Sequence, residues 1–563
     1  MAQSARSFLR SQLAQARAAT IEAWTVLRRR GPSQIQFWFI ALAIGVAAGF
    51  AALMFRKGIE ALQAALYGTD DVRFLHSFAE SLPWYWVLAI PAAGGLIVGL
   101  ILHRFTPDGR VRSVADVIEG AALSDGRVET RAGIASVFAS LITLSSGGST
   151  GREGPVVHMA GVISTWVCRR INADGITGRD LLGCAVAAAV SASFNAPIAG
   201  ALFALEVVLR HFAVHAFAPI VIASVAGTVI SRLEYGDVTE FVLSTPGSLQ
   251  FYVELPAFLL LGMVCGLVAV ALMRGIYLAE DLGSTIQDRA GLPRWLRPAV
   301  SGGLLGGMAI GFPHIIGVGY ETTRAALAGD FLLHQAIIYA IIKAIAVAIT
   351  FGGRMGGGVF SPSLMVGALT GLAFGLVATG LLPHLSGTHT LYAFAGMGAV
   401  AAAVLGAPIS TTLIVFELTG DWQIGLAVMV SVSLSTAIAS RLVDRSFFLT
   451  QLERRGIHLA AGPQAYLLAM LRTGSVMRPR GDARGASDAE CAALIARGLY
   501  IEASATLEAA MPIFDRADIA FLPVLTRLPE EGETPQVIGA LFQIDALKAY
   551  NRALAATAAE EHS

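Results

Sequence analysis

The sequence predicts an all-α polytopic membrane protein followed by a small soluble α/β module. Three observations predict it. Hydrophobic residues make up 55% of the 563 and charged residues only 14%, where an average chain has about 25% charged. The apolar residues come in long blocks, such as 37–54, 84–102, 255–273 and 424–439. Several approach the span of about 20 residues that a bilayer core requires. After residue 452 the composition turns polar and mixes strand-like with helix-like periods. A transmembrane barrel is excluded, because its strands alternate in character and give a weaker hydropathy signal.

Composition also narrows the function classes. The formal net charge is zero, so no nucleic-acid partner is implied. Cys168, Cys184, Cys265 and Cys491 form no close-spaced pair, so they read as small buried thiols and not as a zinc or redox site. No nucleophile–base set, metal spacing or phosphate loop occurs. An enzyme, a catalytic residue, a cofactor and a bound metal are therefore not expected. The N-terminus lacks the short apolar core of a cleaved signal.

In chain order, residues 1–34 carry Arg6, Arg10, Arg17, Arg28, Arg29 and Arg30 against one acid, Glu22. The excess of arginine places this segment on the cytoplasmic side. Residues 35–245 and 246–452 read as two membrane repeats. CAVAAAVSASFNAPIAGALFALEV (184–207) echoes MGAVAAAVLGAPISTTLIVFEL (397–418). Pro197 pairs with Pro408, and Glu206 with Glu417, each 211 positions on. GREGP (151–155) echoes GVFSP (358–362) at an offset of 207. Repeats with interrupted helices at matching places point to a transporter-type site near the bilayer midplane. A feature reproduced in both halves is expected to be structural, so Glu206 and Glu417 read as scaffold. The residues alone leave open whether the repeats are parallel or inverted.

The first echo lies in SSGGSTGREGPVVHMAG (145–161), where one glutamate, Glu153, is set in an apolar run. A carboxylate at membrane depth is rare and usually functional. Gly151, Gly154 and Pro155 explain a helix break: glycine allows unusual backbone angles and proline suits a first helical turn. Pro362 marks the matching break in the second repeat. The apolar piece from Pro155 to Cys168 is about 14 residues, or roughly 21 Å of helix, too short for a core of about 30 Å. A helix starting inside the membrane aims unpaired N–H groups and a positive dipole end at whatever lies in front of it. That is an anion site in outline, and Glu153 is placed as a tethered anion. Adjacent helical residues do not face one another, so a simple Arg152–Glu153 pair is not expected. His158 reads as a satisfied buried histidine. Lys343 reads as structural, holding a helix end, or else as lining a vestibule.

GREGP, GGVFSP, the paired API…E blocks, GVGYETT (317–323) and LERRGI (452–457) together resemble the CLC family of voltage-gated chloride channels and chloride/proton antiporters. The resemblance covers about residues 35–452. It implies a homodimer of inverted repeats, each subunit with its own ion path for chloride or similar monovalent anions. It also implies that Glu153 is the gating glutamate and that Val359 and Phe360 offer amides to a central anion. Gly151, Arg152 and Gly154 would shape the outer site, and Gly358 belongs to the same anion-binding set. Residues 453–563 read as a linker and one cystathionine-β-synthase-type (CBS-like) domain with the order strand, helix, strand, loop, strand, helix. With a single copy, nucleotide binding between paired motifs is not expected. Both termini would be cytoplasmic, in the cell (inner) membrane.

Three positions depart from the family pattern. Ser113 keeps the hydroxyl of the first filter motif, but its glycines and proline are replaced, and Asp116 adds a charge. Phe448 stands where a tyrosine hydroxyl would hold the anion. The site should then be weaker by one hydrogen bond to a charged group, about 1.5–3 kcal/mol. Val207 takes the internal proton-pathway position, where many antiporters have a second acid. The expectation is anion transport, channel-like, with chloride/proton antiport as the alternative. A non-conducting membrane sensor is the alternative of another class.

Overall fold

The computed structural model describes residues 33–69, 71, 74–210, 212, 214–236, 253–383, 386–457, 459, 467–468, 471–527 and 536–561. The arginines up to Arg30 and the charged loop at 529–535 lie outside the described residues. The first part is a helical bundle: α1 (Gln34–Tyr67), α2 (Leu75–Ser81), α3 (Trp84–Phe105), α4 (Val114–Leu123), α5 (Thr130–Ser145), α6 (Glu153–Ile171), α7 (Gly175–Phe194), α8 (Pro197–Phe203) and α9 (Val214–Tyr235). A π-helical turn, Ala204–Leu209, extends α8. Then come α10 (Leu255–Ala290), α11 (Arg297–Gly311), α12 (Tyr320–Ala328), α13 (Leu333–Gly352), α14 (Phe360–Leu381), α15 (His389–Leu405), α16 (Pro408–Thr419), α17 (Trp422–Leu442) and α18 (Phe447–Glu453). Among the described residues, seven helices are long and apolar enough to cross a membrane, and several others are apolar but shorter.

Glycines let these helices approach closely. Gly45 and Gly49 of α1 lie on the backbone of Ala223 and Gly227 in α9. In the second half Gly262 and Gly266 of α10 lie on Ser431 and Ser435 in α17. The same packing thus occurs twice. Between the halves, Gly95 and Gly99 of α3 meet Pro298 and Trp295 beside α11, while Gly302 and Gly306 of α11 meet Pro91 and Leu88 of α3. A methyl group at Gly99 would stand 1.8 Å from the Trp295 carbonyl. A side chain there would force the two helices apart.

The repeats are inverted. Glu417, near the end of α16, accepts from the Ile198 and Ala199 amides at the start of α8, at 3.0 and 2.8 Å. Glu206, in the turn ending α8, accepts from the Ile409 and Ser410 amides at the start of α16, at 3.0 and 2.8 Å. The end of each helix meets the beginning of the other, so the two run antiparallel. A proline in the first turn of each, Pro197 and Pro408, needs no acceptor for its missing N–H. The carboxylates satisfy two of the donors that remain.

The helix after Gly-Arg-Glu-Gly-Pro is longer than the apolar run suggests. α6 has 19 residues, about 28 Å. It carries on through Arg169 and Arg170 to a left-handed cap at Asn172, because arginines near a C-terminus complement the helix dipole.

After α18 come α19 (Thr473–Val476), β1 (Arg478–Pro479), α20 (Asp488–Ala496), β2 (Ile501–Glu502), α21 (Leu507–Ala517), β3 (Phe521–Leu525), β4 (Val537–Phe542) and α22 (Gln543–Glu561). The sheet order is β1-β4-β3-β2, with β2 and β3 parallel and the other pairs antiparallel. From β2 onward this follows the expected order. Edge strand β1 and helix α20 are additions. Leu507, Phe514, Leu522, Val524 and Leu541 fill a core of its own. The module docks on the bundle. Buried Glu508 binds Arg210 at 3.0 Å and lies 4.0 Å from Arg179, and α21 packs against α4.

Candidate functional site

The two echoed segments touch. Gly151 donates to the Gly358 carbonyl at 2.7 Å, and Gly358 donates to the Gly151 carbonyl at 2.7 Å. Each glycine is followed two residues later by a helix: α6 begins at Glu153 and α14 at Phe360. The first amides of a helix have no acceptor within it. Two helix N-termini therefore meet around one short bridge, and their positive dipole ends converge.

Glu153 lies in this junction. It is 4% exposed, and Ser361, in the first turn of α14, donates its hydroxyl to Oε1. Oε2 has no hydrogen-bond partner among the described residues. A methyl group at Gly151 would lie 2.4 Å from that oxygen, so the carboxylate rests over the bridge itself. A carboxylate from one repeat thus occupies the helix start of the other, in the geometry of anion binding. Val359 precedes α14 as its cap and Phe360 opens it. Both are buried. The Phe360 ring packs on Phe194 and Phe203, with centroids 4.6 and 6.5 Å apart.

Gly151 and Gly358 play a different part from the one expected. Their amides are spent on each other, so they shape the junction and do not donate to an ion. Arg152 turns away from Glu153. It donates to the Ser193 carbonyl at 2.7 Å and stands over the Tyr320 ring at 5.1 Å. Gly154 abuts the third segment: a methyl group there would lie 2.6 Å from the Ser113 hydroxyl and 3.1 Å from the Gly357 carbonyl. Ser113 opens α4 and is thereby brought to the same junction. Pro155 and Pro362 stand in the first turns of α6 and α14.

A cavity of about 290 Å³ reaches Ser113 and Gly357 from the end of the bundle that carries the module, between Arg297, Arg354, Arg454 and Arg455. A second cavity, of about 400 Å³, reaches Arg152 past Tyr320 and Glu321. The cavity at Ser113 is mainly basic, whereas the one at Arg152 mixes Arg56, Arg152 and Arg324 with Glu60, Asp71 and Glu321.

A sequence model of the family described as voltage gated chloride channel matches residues 94–440. A ClcB-like chloride channel protein of Ralstonia nicotianae is 32% identical over 396 residues, covering 70% of this chain and 91% of that one. This chain belongs to the CLC family. The CLC-f chloride channel protein of Arabidopsis thaliana is 30% identical, covering 74% of this chain and 55% of that one. Two solved structures share the fold at a TM-score of 0.66. One is a slow cyanobacterial Cl⁻/H⁺ antiporter at 21% identity, covering 75% of this chain and 98% of that one. The other is a eukaryotic CLC transporter at 17% identity, covering 93% of this chain and 98% of that one. As a CLC protein the chain is a multi-pass membrane protein of a chloride-transport family, not an enzyme.

Phe448 is buried beside Phe447, with ring centroids 5.8 Å apart, in α18, which packs on α4. Val207 is buried in the π-helical turn beside Glu206. Lys343 holds a loop: its ammonium donates to the Ile315 and Gly317 carbonyls at 3.1 and 2.9 Å. His158 is buried but not satisfied. Neither ring nitrogen makes a hydrogen bond among the described residues, and the ring lies close against Gly133.

Sequence reasoning missed two partners. Ser361 lies within GGVFSP, yet nothing in the sequence marks its hydroxyl as facing a residue 208 positions away. Asp116 looked like an unwanted charge near an anion. It accepts from the Ser113 amide at 2.8 Å and pairs with Arg455 at 2.8 Å. The arginine that neutralises it comes from LERRGI, at the other end of the membrane region.

Proposed function

We propose that the chain passes chloride or a similar monovalent anion through the Gly151–Gly358 junction, with Glu153 as a mobile gate. The supporting observation is the Glu153 carboxylate at the start of α14, held by Ser361 and with one oxygen unpartnered. Moving a bare anion into low dielectric costs tens of kcal/mol. Helix ends return about 0.3–1 kcal/mol each, up to about 2 when partly buried. Direct N–H and O–H contacts and water must therefore supply the rest. Amides of Val359 and Phe360 and the Ser113 hydroxyl are the groups assigned to that task. Arg152, next to the gate, is turned to the Ser193 carbonyl and is not aimed at the junction, so binding stays weak enough for the ion to leave. Glu153 competes for the same donors, and anion and carboxylate exclude each other.

We assign a channel-like, passive pathway. Val207 supports it, since no second acid stands beside Glu206 to receive protons from inside. The unpartnered Glu153 oxygen favours a second reading, chloride/proton antiport, because that oxygen is free to take a proton. The reversal potential of the purified protein under opposed chloride and pH gradients separates them. A potential following chloride alone supports the channel; one displaced by the pH gradient supports the antiporter. No anion flux under any condition would overturn both and leave a membrane sensor.

The protein is further assigned as a homodimer. Ile198, Ile409, Trp422, Met429 and Leu233 are exposed on α8, α9, α16 and α17, next to the crosswise caps. The C-terminal sheet module is assigned as one CBS-like domain; it and both termini are assigned to the cytoplasm, and the membrane part to the cell (inner) membrane.

A further inference from the structure

We infer that the protein binds the headgroup of an anionic phospholipid in a pocket at the foot of α3 and α11. The pocket is distinct from the ion path. It encloses about 710 Å³ and is bordered by Arg104, Arg131, Arg294, His103 and Trp295. Arg104 lies in the last turn of α3, Arg131 in the first turn of α5 and Arg294 in the turn leading to α11. Three chain segments therefore bring three guanidinium groups to one opening.

None of the three arginines makes a hydrogen bond or ion pair with a described residue. Arg104 only lies over the ring of its neighbour Phe105, at 5.5 Å. The acid at the rim, Glu129, is already taken: Arg112 binds it through Nε and Nη2 at 3.1 and 3.0 Å. The pocket thus keeps a positive charge that the protein does not neutralise. Phosphate oxygens match guanidinium donors two at a time.

Position decides the occupant. α3 is one of the seven membrane-length helices, so its last residues reach headgroup depth. Trp295 at the rim suits that depth, where tryptophan is enriched. Above the pocket, Ile97 and Leu100 of α3 and Val300 and Leu304 of α11 are exposed. They give both helices exposed apolar outer faces beyond the basic mouth. A free phosphate would use only the mouth; a phospholipid uses both. Segment 107–111 separates this pocket from the inner cavity at Ser113, since Gly109 borders one and Arg110 the other. A headgroup bound here would reach the ion path through the field of its phosphate.

The test is native mass spectrometry of the purified full chain with added phosphatidylglycerol or phosphatidylcholine. The intact protein should retain phosphatidylglycerol at least about tenfold better. The triple variant R104Q/R131Q/R294Q should lose that preference, with unchanged elution and thermal unfolding. A control, R169Q/R170Q, removes two arginines at the end of α6 and should keep it. W295A tests the apolar rim and should weaken retention of phosphatidylglycerol without abolishing the preference. If the triple variant does not fold, the single variants should each lower the preference. Persistence of the preference in every folded variant overturns the proposal. Displacement of phosphatidylglycerol by millimolar inorganic phosphate also overturns it, in favour of a free-anion site.

Discussion

Gly151 and Gly358 exchange backbone hydrogen bonds at 2.7 Å in both directions, although they lie 207 positions apart. This reciprocal pair fixes the distance between the two helix starts.

The two glycines should respond differently to a methyl group. At Gly358 it would meet the Gly154 amide nitrogen at 2.8 Å, a backbone atom that cannot swing away. At Gly151 it would meet the mobile end of Glu153 at 2.4 Å. Gly358→Ala should therefore destabilise the fold by about 1–3 kcal/mol, read as a lower unfolding temperature. Gly151→Ala should chiefly displace the carboxylate, read as altered pH dependence of flux.

Ser361→Ala removes the one hydroxyl that holds the Glu153 carboxylate. A hydrogen bond to a charged group contributes about 1.5–3 kcal/mol. The competing carboxylate should then vacate the site more often. Apparent anion affinity, measured by calorimetry, should rise about tenfold or more. Unchanged affinity would mean that Glu153 does not contest the anion. Glu153→Gln should keep flux while flattening its pH dependence.

Phe448→Tyr restores a hydroxyl at a buried position on α18. If that hydroxyl reaches the central anion, binding should tighten by about 1.5–3 kcal/mol. Calorimetric titration of chloride against both forms checks it. Weaker binding or a loss of fold would place the ring in plain packing.

Glu206 and Glu417 cap one another's helices. Replacing either with alanine leaves two amides unpaired, at about 1–3 kcal/mol for each group that stays buried. The two single variants should lower the unfolding temperature by similar amounts. A large effect on anion selectivity without one on stability would contradict their scaffold role.

Acid should weaken the loop cluster formed by His76, Glu321 and His314. His76 binds Glu321 at 3.0 Å and stacks on His314, which also stacks on Tyr339. Burial, and then the neighbouring His76, push the His314 pKa down to about 4, against a smaller upward pull from Glu321. The unfolded chain therefore takes up this proton at higher pH than the folded one. The stability that neutral His314 contributes should fall as pH drops from about 6.5 to about 4. Burial raises the Glu321 pKa, but hydrogen bonds from His76 and Ser77 outweigh it and hold the carboxyl below its ordinary value. Its contribution is present above the ordinary carboxyl pKa and is lost as pH falls through the folded one. His314→Phe should flatten the unfolding-temperature profile between pH 6.5 and 4. An unchanged slope would count against the cluster.

The sequence by itself determined the membrane class, the twofold repetition, and where helices break. Those are local properties: apolar runs, glycine and proline at GREGP and GVFSP, and one isolated carboxylate at Glu153. It missed β1, because Arg478 and Pro479 lie in a polar, basic stretch with no alternation of apolar residues. Tertiary structure alone decided which groups meet. The Gly151–Gly358 bridge, the Ser361–Glu153 bond, the crosswise Glu206 and Glu417 caps and the Arg455–Asp116 pair all join residues about 200 or more positions apart. Periodicity records which face of its own helix a residue occupies. It carries no record of the opposing segment, which only packing of the inverted halves supplies.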